Sequence, residues 1–293
     1  MYKSKLHKKT CLSLFILLFA GCSHNELQFS RSCSYSEIPL IKYGKISYFK
    51  INLDIPTCNV PVNQYSLIFD TGSSFTLIEK SLCNSGEIPK QFLGIKTLSG
   101  SSQHNFAFTS ASYSIEKNLQ EKVDIHLADI KSKLNIDGIA GANFFQNKIL
   151  VIDFPYKFYI VNEVACLNTT MYPFTNVSGQ IHLPVAMKEN QDIDFILDTG
   201  ASLSFISRFD KTSCNEKEST KDYFDFTGKT MKGRVCEIAE ICAAGVCLEP
   251  LDFIVPEKAE AELVGILGSN FFSKYYVIID YKNHKTGFQK KDG

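Results

Sequence analysis

Two short segments of this 293-residue chain end in the same triplet: Ile68-Phe69-Asp70-Thr71-Gly72-Ser73-Ser74 and Ile196-Leu197-Asp198-Thr199-Gly200-Ala201-Ser202. Each delivers an acidic side chain at the end of an apolar run. The glycine lets the backbone turn there, so that main-chain N–H groups can point at the carboxylate. The threonine adds a hydroxyl able to tie the loop to neighbouring backbone. Alone, such a loop is only a turn. Two of them meeting face to face would bring two carboxyl groups within hydrogen-bond reach, where both cannot ionise cheaply and one proton is held between them. One member can then act as base toward a water while the other donates to a carbonyl oxygen, which hydrolyses an amide with no covalent adduct. The apparent pKa values of such a pair belong to both members. Chance would supply an Asp-Thr-Gly about 0.05 times in a chain of this length, so two copies with matching lead-ins are not read as accidental turns.

The elements that must position these loops are repeated as well. Asp198 repeats Asp70 at an offset of 128 (198 − 70). Gly138-Ile139-Ala140-Gly141-Ala142-Asn143-Phe144-Phe145 recurs as Gly265-Ile266-Leu267-Gly268-Ser269-Asn270-Phe271-Phe272, and Leu150-Val151-Ile152-Asp153 as Val277-Ile278-Ile279-Asp280, both at an offset of 127 (268 − 141). Lys96 to Gly100 recurs more loosely as Lys229 to Gly233, at 133 (229 − 96). Order is kept and offsets agree, which marks a duplicated unit whose second copy follows directly on the first. Within each copy the pattern is that of strands. Tyr48 to Ile55 partly alternates, Tyr65 to Phe69 is a short apolar run, and Tyr281 to Lys285 reads as a hairpin turn. The best helix candidate is the segment 118–134. The chain is therefore expected to be mostly β, with an N-terminal lobe over 37–165 and a C-terminal lobe over 166–293.

These residues resemble the pepsin-like and retropepsin-like aspartic peptidases over most of 37–293. The resemblance implies the acid protease fold: two pseudo-twofold-related, β-barrel-like lobes with an active-site cleft between them. It makes Asp70 and Asp198 catalytic and Thr71 and Thr199 the hydroxyls that lock the loops together. Gly72, Ser73, Gly200, Gly141 and Gly268 become active-site support, the last two within Ile139-Ala140-Gly141 and Ile266-Leu267-Gly268. It further implies an extended protein or peptide substrate in apolar pockets, under a hairpin flap near Thr97 to Phe108, and needs no cofactor or metal. The chain departs from the pattern in three ways. The Asp-to-Gly intervals, 141 − 70 = 71 and 268 − 198 = 70, are closer to the compact retropepsin unit. No tyrosine stands at a pepsin-like flap position, Tyr113 being nearest, and Ala201 replaces the hydroxyl residue that Ser73 supplies in the first loop. A Ser73 hydroxyl donating to Asp70 would make Asp70 the more acidic member and leave the proton on Asp198.

The N-terminus points to export. Lys3, Lys5, Lys8 and Lys9 precede an apolar run from Cys11 to Ala20, the pattern of a signal peptide over 1–21. Leu18-Phe19-Ala20-Gly21-Cys22 resembles a bacterial lipobox, with Phe19 where an aliphatic residue is usual. That resemblance implies lipidation of Cys22, a tether over 22–36 and a membrane-anchored monomer in the bacterial cell envelope, Ser23 favouring the outer membrane. An ordinary signal peptide cut near Ala20 is the alternative. Apart from Cys11 and Cys22, eight cysteines remain, and in an oxidising compartment an even count points to disulfides. Cys242 and Cys247, flanking Ala243-Ala244-Gly245-Val246, are the first candidate pair. Thirty-one basic and thirty-one acidic residues give no basic footprint for nucleic acid. The six histidines show no metal-ligand spacing. The rival to an enzyme is a catalytically silent peptide-binding envelope lipoprotein of the same fold.

Overall fold

The computed structural model describes residues 27, 29–30, 33–56, 58, 63–83, 88–97, 100–115, 120–130, 136–187, 191–207, 214–224, 230–239, 241–257 and 265–291. The signal segment and Cys22 lie outside the described residues. Among these residues the strands form three sheets. One, of eight strands, runs from Ile41–Tyr43 through Ile46–Asp54, Asn63–Phe69, Gly138–Ala140, Thr76–Glu79, Glu121–Ala128 and Gly100–Tyr113 to Lys90–Thr97. A ten-stranded sheet repeats that plan in the second half. There Gln180–Met187, Gln191–Leu197, Gly265–Leu267, Ser204–Ile206, Leu251–Pro256, Thr230–Ile238 and Asn215–Phe224 follow one another across the sheet. The third sheet carries six strands and joins the two halves. At its centre Ile149–Asp153 pairs antiparallel with Tyr275–Asp280, and Val151 lies opposite Ile278, its own repeat partner. A pseudo-twofold axis must therefore pass between those two residues.

The central sheet strands are buried on both faces and read as apolar runs rather than alternations. Leu150, Val151, Ile152, Val277, Ile278 and Ile279 are all fully covered. Under the first Asp-Thr-Gly loop, Phe69 stacks on Phe158 at 4.6 Å and meets Phe145 edge-on at 5.2 Å, so the strand that ends in Asp70 rests on a rigid aromatic floor. The second lobe uses Phe195 against Phe253, and Phe271 stacked on Tyr275 at 5.1 Å. Rings of this size dominate core energetics and, in edge or offset contact, fix geometry as well as burying area.

The segment 118–134, the expected helix, is corrected by the structure: Glu121–Ala128 is a strand. Val123, Ile125 and Leu127 point into the core at period two while Lys122 and Asp124 are exposed, which is strand alternation and not a helical stripe. The end of the expected tether is likewise part of the body. Tyr35 and Ser36 open the strand Tyr35–Pro39, paired with Lys157–Val161, and Phe29 stacks on Tyr35 at 4.6 Å. Cys33 is bonded to Cys166 across that edge. Three further disulfides follow: Cys58–Cys83 in the first lobe, and Cys214–Cys236 and Cys242–Cys247 in the second. Cys242 and Cys247 sit opposite one another in a hairpin whose turn, Ala244-Gly245, has positive φ at both residues, the geometry of a type I′ turn.

The hairpin in the expected flap region is formed by Lys90–Thr97 and Gly100–Tyr113, paired from Lys90–Ala107 to Thr97–Gly100. Its tip and the side chains of 91–105 lie outside the described residues. Tyr113 is a core residue instead, its hydroxyl donating to Glu121 with the Phe144 carbonyl also within hydrogen-bond reach.

Candidate active site

Each acidic residue is delivered by a strand held between two neighbours. Asn63–Phe69 runs parallel to Gly138–Ala140, which pairs antiparallel with Thr76–Glu79, so the chain leaving Asp70 loops around and returns beside its own support. Gln191–Leu197, Gly265–Leu267 and Ser204–Ile206 do the same around Asp198. Backbone bonds continue to the loop itself: Asp70 N–H donates to Ala140 at 3.2 Å and Asp198 N–H to Leu267 at 3.0 Å.

Thr71 and Thr199 join the two loops by four buried bonds. The Thr71 hydroxyl donates to the Leu197 carbonyl (2.9 Å) and accepts from Thr199 N–H (3.1 Å). In return the Thr199 hydroxyl donates to Phe69 (2.7 Å) and accepts from Thr71 N–H (3.0 Å). Each hydroxyl thus uses donor and acceptor capacity across the axis, which makes the loops one unit.

The carboxyl groups are then held alike. Asp70 Oδ1 accepts from Gly72 N–H at 2.9 Å and Ser73 N–H at 3.0 Å, and Asp198 Oδ1 from Gly200 N–H at 2.8 Å and Ala201 N–H at 3.0 Å. Each carboxyl also lies over the opposite loop's glycine. A Cβ on Gly72 would fall 2.3 Å from Asp198 Cγ, and one on Gly200 would fall 2.6 Å from Asp70 Cγ. Glycine is required at both places for close approach. The two carboxyls share a hydrogen bond, and both are less acidic than usual. Asp70 is raised well above the ordinary carboxylate range, by desolvation first and then by the Asp198 charge. Desolvation raises Asp198 too; the bond from Asp70 opposes that rise, and at both carboxyls the two loop N–H groups act in the same opposing sense. Both carboxyls are thus pushed toward the protonated form, and a single proton held between them serves the pair.

Ser73 does not make the contact expected of it. Its hydroxyl donates to the Phe75 carbonyl at 2.9 Å and not to the carboxylate, so it does not make Asp70 the more acidic member. Gly141 and Gly268 fall where expected, behind the loops. A Cβ on either would lie within 2.6 Å of the Phe75 or Leu203 carbonyl group. Sequence reasoning missed the bracket beside them. The Thr76 hydroxyl donates to Asn143 Oδ1 at 2.8 Å, and Ser204 to Asn270 Oδ1 at the same distance, while the asparagine amides donate to Asp124 and Asp252 carbonyls. The signal was present, since Asn143 and Asn270 occupy the same place in the repeated Gly-x-x-Gly-x-Asn-Phe-Phe. Gln180 was also missed; its amide crosses from the second lobe to donate to the Gly72 carbonyl. No group of three or more metal-ligating side chains is found among the described residues.

A family model described as aspartyl protease matches residues 183–271, which include the second loop. No curated protein is matched. Among solved structures, the chain is similar to an aspartic proteinase from Irpex lacteus, with 14% identity and a TM-score of 0.54 over 88% of this chain and 98% of that one. It is also similar to Basic 7S globulin from soybean, with 10% identity and a TM-score of 0.52 over 90% of this chain and 95% of the other. This chain thus has the two-lobed fold of the pepsin-like aspartic proteinases, and its second lobe matches the aspartyl protease family.

Proposed function

We propose that the chain is an aspartic endopeptidase in which Asp70 and Asp198 activate a water against a peptide bond. The single observation that carries this is the joined pair of loops, with each carboxyl lying over the other's glycine. Asp198, ionised, removes a proton from the water as its oxygen bonds to the carbonyl carbon; Asp70 gives its proton to the carbonyl oxygen. The diol intermediate then collapses. Asp198 returns its proton to the leaving nitrogen, the C–N bond breaks, and a hydroxyl proton goes back to Asp70. No metal or covalent adduct enters these steps, and the fixed loop N–H groups hold each carboxyl for its role without reorganisation.

Export and anchoring belong to the same proposal. The signal-like segment, the lipobox-like run ending at Cys22, and four disulfides favour a lipid-anchored protein of the bacterial envelope, on the outer membrane. Fatty-acid labelling that persists in Cys22→Ala would overturn the anchor.

Full-length protein in detergent should cleave a denatured protein in acid, be blocked by a statine-type inhibitor, and lose cleavage in Asp70→Ala. Inhibitor binding with no cleavage by the wild type would instead support the silent peptide-binding form. The two structural neighbours, one named a proteinase and the other a globulin, show why the fold alone does not decide between them.

A further inference from the structure

A row of side chains crosses each lobe's sheet at the level of the residue two before the aspartate, on the face that carries the aspartate itself. In the first lobe the paired residues are Ile68, Ile139, Leu77, His126 and Phe108. In the second they are Ile196, Ile266, Phe205, Ile254 and Val235. Nine of these ten side chains are apolar. The exception, His126, takes the place of Ile254.

His126 is 2% exposed, and neither of its ring nitrogens has a hydrogen-bond partner among the described residues. Three rings surround it: Phe75 edge-on at 5.0 Å, Phe108 at 5.1 Å and Phe106 at 6.3 Å. Phe75 belongs to the loop that follows Asp70, and its own carbonyl holds Ser73. Phe75 and Phe108 are half-buried while Phe106 is buried, so the outer side of the enclosure is closed by Phe75 and Phe108. The second lobe is built differently on the equivalent strand. Gly233 and Val235 stand where Phe106 and Phe108 do, and a Cβ on Gly233 would already fall 2.9 Å from Ile254 Cγ2. Burial holds the imidazole below its ordinary value, so it sits there neutral, with one nitrogen able to donate and the other to accept.

An imidazole stripped of water leaves both ring nitrogens unsatisfied at a cost in stability, and aliphatic Ile254 at the equivalent place avoids that cost. A ligand that supplied the missing bonds would recover it. We propose that His126 is a specificity-determining residue at the floor of an aromatic subsite on the first lobe's wall of the cleft, where it hydrogen-bonds a neutral polar substrate side chain. An amide suits the site best: it is flat enough to lie between Phe75 and Phe108, and it offers both a donor and an acceptor. This rests on the peptidase reading above.

The test uses full-length protein in detergent with peptide pairs differing only as Asn against Leu, which match in shape, at each position around the cut. Wild type should favour Asn at one position by about tenfold in kcat/KM, because a polar site rejects an isostere that leaves it unpaired. His126→Ile should invert that ratio and His126→Gln should keep it, melting curves confirming that each variant is folded. A ratio unmoved by His126→Ile, or a wild type that never prefers Asn, overturns the proposal. The pocket can also be read without turnover. Imidazole nitrogen resonances of His126 should shift on binding a statine-type inhibitor carrying Asn, and not one carrying Leu; equal shifts overturn the assignment. Should no peptide be cleaved, the peptidase reading fails while this binding measurement still decides the role of His126.

Discussion

The two lobes agree at the floor of the cleft and differ on its walls. At the floor, the bonds that join the loops and hold the carboxyls are matched: threonine with threonine, N–H pair with N–H pair, asparagine bracket with asparagine bracket. A proton shared between two carboxyls requires this, since each must reach the same point from opposite sides. On the walls, a histidine in a phenylalanine enclosure faces isoleucine, valine and glycine. An extended peptide has direction, so the walls it meets on its two sides need not match. Symmetry is imposed where the chemistry is symmetric and absent where the substrate is not.

The largest effect is expected at the carboxyls, and it also separates them. Asp70→Asn and Asp198→Asn should each lower kcat by at least about a thousandfold, since each removes one of the two proton-transfer groups. Their stabilities should differ. A carboxyl whose folded pKa is raised favours folding below its ordinary value and loses that contribution as pH rises through the raised one. Both carboxyls are raised, and Asp70 is the member proposed above to hold the proton. Asp70→Asn, neutral throughout, should therefore melt a few degrees above wild type at neutral pH, with the gain vanishing in acid. Asp198→Asn should gain less. Melting curves against pH check both, and equal gains would mean the proton is not held mainly by Asp70.

Next come the glycines. Ala at Gly72 places a methyl 2.3 Å from Asp198 Cγ, and at Gly200 one 2.6 Å from Asp70 Cγ. Either must push a carboxyl aside, and displacement of about 1 Å costs around a hundredfold in rate. Gly72→Ala, the tighter of the two, should be the worse enzyme, and single-turnover rates would show it. Behind the glycines, Thr71→Val and Thr199→Val each remove one hydroxyl that donates once and accepts once. Each should cost about 1–3 kcal/mol in denaturant unfolding, because a buried carbonyl and a buried N–H are left unpaired. The two values should be close to equal, as the bonds are.

Much of this floor is readable in the chain itself. A repeat at a constant offset, two Asp-Thr-Gly loops and apolar lead-ins require two equivalent halves, and the Gly265–Leu267 and Gly138–Ala140 strands fall where the repeat puts them. Two kinds of feature are not readable there. Segment 118–134 carries Lys, Glu and Ala, which favour helix locally, yet pairing on both sides makes Glu121–Ala128 a strand. Propensity yields to the sheet there. His126 stays hidden because a lone histidine among apolar residues has no spacing to mark it. Its meaning comes from cross-strand register, which assigns it the place of Ile254, and register is a property of the folded sheet.

The smallest effect is expected where the loops differ by one oxygen. Were Ser73 a donor to Asp70, its loss would move the pH–rate profile. The hydroxyl instead donates to the Phe75 carbonyl at 2.9 Å, while both loops offer their carboxyl the same two N–H groups. Ser73→Ala should therefore leave the limbs of that profile in place and cost about 0.5–1.5 kcal/mol of stability, the worth of one ordinary bond. What the bond restrains is Phe75, the ring over His126. In Ser73→Ala any loss of kcat/KM should thus fall more heavily on Asn peptides than on their Leu partners, with no change in the acidity of the pair. A profile shifted equally for both peptides would mean that this hydroxyl acts on the carboxyls after all, and the two loops would be less alike than their hydrogen bonds make them.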